Sequence, residues 1–464
     1  MPLILSGNVG SATAATGFNV ANSVRFDRGS SPTMIRTIPD DASSTGSRVK
    51  WTFSTWIKRS SLGTLQALFG SYQSANYHTF IGFNTSDQLD VFDQYNGSKN
   101  GQRITSRVFR DVSAFYHLCI IWDKDNGTDA LKIRIFVNGL EESSFATSSV
   151  PGNATTMGAD NQDYSIGKQE GVGNHLDAYL CETVFQDNVA QNPVDALGEF
   201  DDDSGIFKPI DPSGVTFGTN GFYLDFEDSS NLGNDANGGT DYTETNIAAT
   251  DQSIDTCTNN FATMNPLDNF YAGSTFSEGN LNLVMADAPT TWNTSTIGVS
   301  SGKWYFEVKE LAEGASGSSQ VGVADRPTVA ADEELGGLAT TFAYTSNGRF
   351  RTDNGQTAAD KATWGVNDVI GIALDMDASP ATVTFTKNGS AAGSTQNLTA
   401  TGTGFYFLAI GAWVDGSVTF SANFGSPAYS ESGGNSDGSG YGNFKTAPPS
   451  GHFALNTKNL AEYG

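Results

Sequence analysis

The sequence predicts an all-β protein, two tandem antiparallel β-sandwiches joined by a packed connector, and three observations carry that prediction. Apolar and polar residues alternate with a period of two in separate runs. Leu131, Ile133, Ile135 and Val137 face away from Lys132 and Arg134, and Trp304, Phe306 and Val308 away from Tyr305, Glu307 and Lys309; this is the pattern of a strand with one face on a core. Turn chemistry ends such runs, as at Asn388-Gly389, which supplies positive φ for a tight hairpin. Composition agrees, since 52 glycines and only 16% charged residues leave the chain short of helix formers and rich in turn formers. A length of 464 residues leaves room for two or three domains, each with its own core.

The first domain is expected over residues 1–204. Its strands are W-T-F-S-T-W-I-K-R (51–59), A-F-Y-H-L-C-I-I-W-D (114–123), L-K-I-R-I-F-V-N-G (131–139), Y-S-I-G (164–167) and L-D-A-Y-L-C-E-T-V-F (176–185). This ordered series resembles the concanavalin A-like, laminin-G-like lectin sandwich. Residues 205–265 form the connector. Phe217, Phe222, Tyr223, Leu224 and Phe226 are too apolar for a solvated tether, and Phe222, Leu224 and Phe226 alternate as a strand would. The block is expected to pack against one sandwich or to bridge both.

The second sandwich is expected over residues 266–429. Val369 to Leu374 is apolar on both faces and reads as a central strand, and Val383 and Phe385 alternate with Thr382, Thr384 and Thr386. S-G-K-W-Y-F-E-V-K-E (301–310), V-G-V-A-D (321–325), W-G-V-N-D-V-I-G-I-A-L-D-M-D (364–377), T-V-T-F-T-K-N-G (382–389), F-Y-F-L-A-I-G (405–411) and G-S-V-T-F-S-A-N-F-G (416–425) together resemble the SPRY domain. That resemblance implies a sandwich that binds a partner through its loops and has no catalytic residues of its own. Residues 430–464 complete the chain as a Gly/Ser linker (430–442) and a C-terminal docking segment. Phe444, Phe453, Leu455 and Leu460 need a groove there, and the linker is expected to let them reach a neighbouring domain or subunit.

A formal charge of −26 makes nucleic acid and an anionic membrane improbable partners. Cys119, Cys181 and Cys257 show no C-x-x-C spacing and cannot all pair. Cys119 and Cys181 lie inside apolar strands, so buried thiols and a reducing site of assembly are expected. The first ten residues lack the basic and apolar regions of a signal peptide, and no run is long enough for a transmembrane helix. The connector, Gly205 to Phe226 with Gly233 to Gln252 and Thr258 to Pro266, and the tail, Pro448 to Leu460, resemble segments of large structural proteins of marine tailed bacteriophages. The resemblance implies a virion protein assembled in the host cytoplasm.

Host-surface contact, glycan above all, is the expected task of a tail-fibre-like appendage or capsid decoration. Other virion proteins of the capsid or tail and further copies of the chain are the expected partners. Aromatics suit sugars by stacking on their ring faces. Tyr72, Tyr77 and His78 in the first sandwich and Tyr344, Phe350 and Trp413 in the second are candidate ligand contacts, each equally open to a core or interface role. Asp87, Asp90, Asp93 and Asn96 could supply oxygen ligands to calcium, the alternative being a hydrated hairpin. Two alternatives stand beside adhesion. One is a purely architectural decoration or cement protein; the other, more distant, is a glycan-degrading tailspike-like enzyme. The E-x-D-x-x-E arrangement of laminarinase-type enzymes is absent, so a non-enzyme is expected.

Overall fold

Lys50–Arg59 and Ala178–Asp187 run antiparallel through the middle of one sheet, and nearly all their side chains are buried on both faces. The computed structural model describes residues 17–38, 48–157, 161–285, 290–314, 319–413, 417–429 and 434–464. They divide into two units, one ending at Thr258 and the other spanning Asn259 to Gly464.

In the first unit the sheet built on Lys50–Arg59 runs in the order Leu140–Glu141, Ile133–Val137, Tyr116–Asp123, Lys50–Arg59, Ala178–Asp187, Ser23–Phe26, Gln252–Ser253. The facing sheet runs Phe145–Ser149, Ser98–Val108, Gln88–Tyr95, Tyr77–Phe83, Gln66–Ser74, Asp163–Ile166, Thr33–Thr37, Thr243–Thr245. Trp51, Phe53, Leu118, Ile120 and Trp122 of the one meet Phe69, Ile81, Leu89, Val91 and Tyr164 of the other in a shared core. Ile133, Ile135 and Val137 point into it as their alternation requires. Leu131 does not. It ends the short 3-10 turn Asp129–Leu131, closed by its N–H to the Thr128 carbonyl at 2.9 Å, and remains exposed because the strand begins only at Ile133.

The outer face of the first sheet is apolar too, and residues beyond 190 cover it. Cys119, Ile121, Phe136 and Val184 lie under Leu197, Phe217 and Tyr223, and Trp56 and Cys181 lie under Phe207. The stretch 205–265 is divided between the units. Phe222–Leu224 pairs with Ala178–Asp187, Thr243–Thr245 with Thr33–Thr37 and Gln252–Ser253 with Ser23–Phe26. Buried Arg36 ties this stretch down, donating to the Asn220 carbonyl at 2.6 Å and the Thr240 carbonyl at 3.1 Å beside the Asp235 carboxylate. Phe261, Ala262 and Met264 belong to clusters of the second unit instead.

Among the described residues the second unit is built on two sheets. One orders Thr275–Ser277, Asn282–Met285, Val418–Asn423, Lys303–Ala312, Val369–Asp375, Thr382–Lys387, Ser390–Ala391; the other orders Thr291–Thr294, Phe407–Ala412, Ser319–Ala324, Thr341–Thr345, Arg349–Thr352, Gly355–Gln356. Trp304, Phe306 and Val308 face the core between them. Among the described residues of this unit the strands pair antiparallel except Phe453–Ala454, which lies parallel to Trp304 and Tyr305.

That exception places the C-terminal segment on its own unit. Tyr305 on the outer face packs with Phe261, Phe444 and Ala454. The buried Glu307 carboxylate accepts the backbone N–H groups of Lys445 and Thr446, both at 2.9 Å. Asp437 accepts from the Ala454 N–H and the Asn459 amide, both at 2.8 Å, and Leu455 and Leu460 join the core. The helix Thr457–Tyr463, capped by the Asn456 side chain, ends the chain.

Candidate functional site

Gln66–Ser74, Tyr77–Phe83 and Gln88–Tyr95 are neighbours in the middle of the second sheet of the first unit. Register sets Gly70 opposite Phe80, Phe80 opposite Phe92 and Phe92 opposite Gln102. Residues directly opposite share a face. These therefore lie on the side away from the core, while Ile81, Leu89 and Val91 point inward. Glycine at position 82 is what lets the Phe80 ring lie down, because a Cβ there would stand 2.6 Å from it.

An aromatic ladder results. Phe80 and Phe92 stack with centroids 5.1 Å apart, His78 meets Phe92 edge-on at 5.6 Å, and Tyr72 lies 6.1 Å from His78. The apolar layer is thin, comprising Ala67, Phe80 and Phe92 with Leu65 at its edge. Charged groups roof it. The Lys99 ammonium sits over the Phe92 ring, and burial pushes its pKa down to about 8 despite Asp90 and Asp93 nearby. Asp90 accepts from the Gln102 amide at 2.8 Å, and burial raises its carboxyl. Burial also lowers the His78 imidazole, favouring its neutral form.

On the other side of the ladder a loop pinched by two backbone hydrogen bonds between Gln169 and Gly173, at 2.7 and 2.9 Å, carries Lys168 and Glu170, paired at 3.1 Å. Gly171 at its tip abuts the Tyr72 hydroxyl so closely that a Cβ would come within 2.3 Å. Between loop and sheet is only a shallow indentation of ≈ 10 Å³, lined by Ala67, Gly70, Tyr72, Phe80, Lys168 and Glu170 among others. That is about the space one water molecule needs, so a ligand would lie across this face and not enter it.

The structure thus brings Tyr72 and His78 together on one face. Tyr77 belongs elsewhere, packed edge-on against Tyr95 at 5.3 Å with its hydroxyl 3.5 Å from Asn96. Tyr344 and Phe350 require correction, because they are core residues. Thr341–Thr345 and Arg349–Thr352 are strands, and their alternation turns Tyr344 and Phe350 inward against Phe342 and Phe385, with the Tyr344 hydroxyl bonded to the Ala362 carbonyl. Trp413 is 44% exposed and lies 5.3 Å from the Arg351 guanidinium, which Glu334 holds.

The proposed calcium ligands are not assembled. Asp87 accepts from Arg59 at 3.1 Å, Arg110 at 2.9 Å and the Gly63 N–H at 2.7 Å, and these donors hold its carboxyl below the usual range against the effect of burial. Asp90 lies on the outer face beside Gln102. Asp93 is turned to the opposite face, where Thr79, Thr156 and Asn100 saturate it. Asn96 is at the hairpin tip in a left-handed conformation. Among the described residues no group of three or more His, Cys, Asp or Glu could hold a metal ion.

Phe80, Phe92, Lys99, Lys168 and Glu170 are the site residues that reading the sequence missed. The signal for the two phenylalanines is in F-I-G-F (80–83) and L-D-V-F (89–92), strands with an aromatic on the face away from the core.

Residues 35–191 match the family model described as the concanavalin A-like lectin/glucanases superfamily, and residues 303–426 match that of the SPRY domain. Among solved structures, a human SPRY domain is 20% identical, covering 33% of this chain and 94% of its own, with a TM-score of 0.25. The SPRY domain of human HERC1 is 18% identical, covering 31% and 87%, at 0.26. A heptameric SAP-like pentraxin from Limulus polyphemus is 17% identical, covering 38% and 81%, also at 0.26. No curated protein matches the chain. Each match falls within one unit, and the chain carries a concanavalin A-like domain followed by a SPRY domain.

Proposed function

We propose that this chain is a non-enzymatic surface protein of a bacteriophage virion, tail-fibre-like or capsid-decorating, that contacts glycan on the host surface through its first domain. The observation that carries the binding reading is the ladder Tyr72, His78, Phe92, Phe80, aromatic in one layer and roofed by movable charged side chains. A saccharide offers what such a face needs: an apolar ring face for the phenyl groups and hydroxyls for Lys99, Asp90 and Glu170. Lectin-type sandwich folds accord with that use. The virion setting is supported by the resemblance of the connector and tail to phage structural proteins. On that reading the chain works in multiple copies beside other capsid or tail proteins.

The test is binding of the purified chain to host cells and their isolated surface polysaccharide, with products analysed for chain shortening. Retention without cleavage supports the proposal. Shortened sugar products, lost on replacing a specific pair of carboxylates, would return it to the enzyme reading.

One observation favours the architectural alternative. Asn269 cinches the loop after Pro266–Asp268 by bonding both the N–H and the carbonyl of Ser274, at 3.0 and 2.7 Å, and the loop so closed presents Phe270 at 76% exposure and Tyr271 at 43%. A rigid aromatic knob of this kind suits insertion into a neighbouring protein. Electron microscopy of intact particles separates the two: a first domain pointing freely outward supports adhesion, and one buried against capsid protein supports decoration.

A further inference from the structure

Cys181 and Cys257 are 76 positions apart in the sequence yet share one apolar cluster on the outer face of the first sheet, with Val20, Trp56 and Phe207. Cys181 is fully buried on Ala178–Asp187, next to the point where that strand's register shifts. Cys257 lies on the last segment of the first unit and is only half-buried. Three interactions fix that segment over the sheet. Ser253 pairs with Ser23, one strand away from the Cys181 strand. Asp255 is bonded to the buried Lys58 ammonium at 2.8 Å, and the Thr258 hydroxyl accepts the Val20 N–H at 3.1 Å. Cys257 is thus held between two anchors and packed against the cluster that contains Cys181.

We propose that Cys181 and Cys257 form a preorganised dithiol that closes to an intramolecular disulfide when the protein meets a low-molecular-weight disulfide oxidant, cross-linking the last segment of the first unit to a central strand of its sheet. Cys257, the more accessible, reacts first. Its thiolate attacks one sulfur of the oxidant R–S–S–R, forming a mixed disulfide and expelling one thiolate RS⁻. Cys181 then gives up its proton and attacks the Cys257 sulfur, forming the Cys181–Cys257 bond and expelling the second RS⁻. Two protein thiols are oxidised, one small disulfide is reduced to two R–SH, and no other reactant is consumed. Burial and the neighbouring sulfur hold the Cys257 thiol well above its ordinary range, so closure is slow at neutral pH and faster in base. Cys119 takes no part. It is buried on Tyr116–Asp123, in a separate cluster under Leu197 and Phe217. On the virion reading, closure would follow release from a reducing cell, but the chemistry depends on the two sulfurs alone.

The test uses the full chain, purified under reduction and exposed to oxidised glutathione at pH 8. Thiols counted after denaturation should fall from three to one, and unreduced peptide mapping should recover Cys181 joined to Cys257 with Cys119 free. The thermal midpoint of the first unit should rise, and dithiothreitol should reverse both changes. Cys257→Ser should keep two thiols throughout and show no oxidation-dependent midpoint shift. Three thiols persisting in the wild type, glutathione stalled on Cys257, or a linkage to Cys119 or between chains would each overturn the proposal.

Discussion

Phe80 and Phe92 stack across neighbouring strands at 5.1 Å and 21°, and the group laid over the Phe92 ring is the ammonium of Lys99. The other sheet of the same unit treats its outer face differently, closing Trp56 and Cys181 under Phe207 and Val184 under Tyr223. An apolar face sealed by aromatic side chains is structural. One roofed by a lysine is covered by a long side chain that has other staggered rotamers open to it.

Phe92→Ala should therefore separate binding from folding. Removing the ring from so thin a layer should destabilise the chain by less than the roughly 3–5 kcal/mol expected for Phe53→Ala, whose ring stacks on Phe69 at 4.6 Å in the main core. Glycan affinity should fall about tenfold or more, the equivalent of ~1.4 kcal/mol. Circular dichroism melts and titrations on the two variants check this, and equal melting losses would place Phe92 among ordinary core residues.

Calcium should be without effect. Asp87 is engaged by Arg59 and Arg110, and Asp90 and Asp93 are directed to opposite faces, so neither added calcium nor a chelator should move the melting midpoint. Asp87→Asn should cost on the order of 3 kcal/mol, because it strands the buried Arg59 guanidinium. A calcium-dependent midpoint would show a metal site of another composition.

The contribution of Glu182 to the stability of the first unit should be lost as pH rises from about 4.5 to about 8. Burial, helped by Asp225, Glu227 and Asp211, pushes the Glu182 carboxyl up to about 8, although the Tyr223 hydroxyl donates to it at 2.6 Å. A carboxyl whose folded pKa is raised holds its proton more tightly when folded. Its contribution is thus most favourable below about pH 4.5 and is lost as pH rises through the window up to about 8. Glu182→Gln should remove a loss of a few kcal/mol across that window. Unfolding curves at pH 5 and pH 9 provide the check, and an unchanged slope in the variant would disprove the assignment.

Truncation after Gly442 should unfold or strongly weaken the second unit and spare the first. It removes Phe444, Ala454, Leu455 and Leu460 and leaves the buried Glu307 carboxylate without the Lys445 and Thr446 N–H groups. Differential scanning calorimetry should show the first unit's transition intact and the second lowered or lost. Two unchanged transitions would mean that the tail is dispensable to its own unit.

How much of this was legible in the sequence depends on what each residue's environment requires. Trp304, Phe306 and Val308 declared a strand and its buried face because period two and burial coincide there. The all-antiparallel expectation stopped at Phe453–Ala454, since a late segment returning to pair with Trp304 and Tyr305 leaves no local signal. Tyr344 and Phe350 sit in T-F-A-Y-T (341–345) and R-F-R-T (349–352), whose period-two pattern marks them as inward-facing once these short runs are recognised as strands. The same period governs Asp90 and Asp93. Three residues apart in a strand, they lie on opposite faces by geometry alone, and that spacing argued against a shared ion. The ladder escaped notice because Phe80 and Phe92 look like core, and only the absence of a covering apolar layer distinguishes them.

The most direct test of the central claim is an isothermal titration of the intact chain with fragments of the host's surface polysaccharide, wild type beside Phe92→Ala and Trp413→Ala. Binding by the wild type, lost in Phe92→Ala and kept in Trp413→Ala, is the predicted result. Binding that survives Phe92→Ala and disappears with Trp413→Ala would move the site to the SPRY domain and contradict the account.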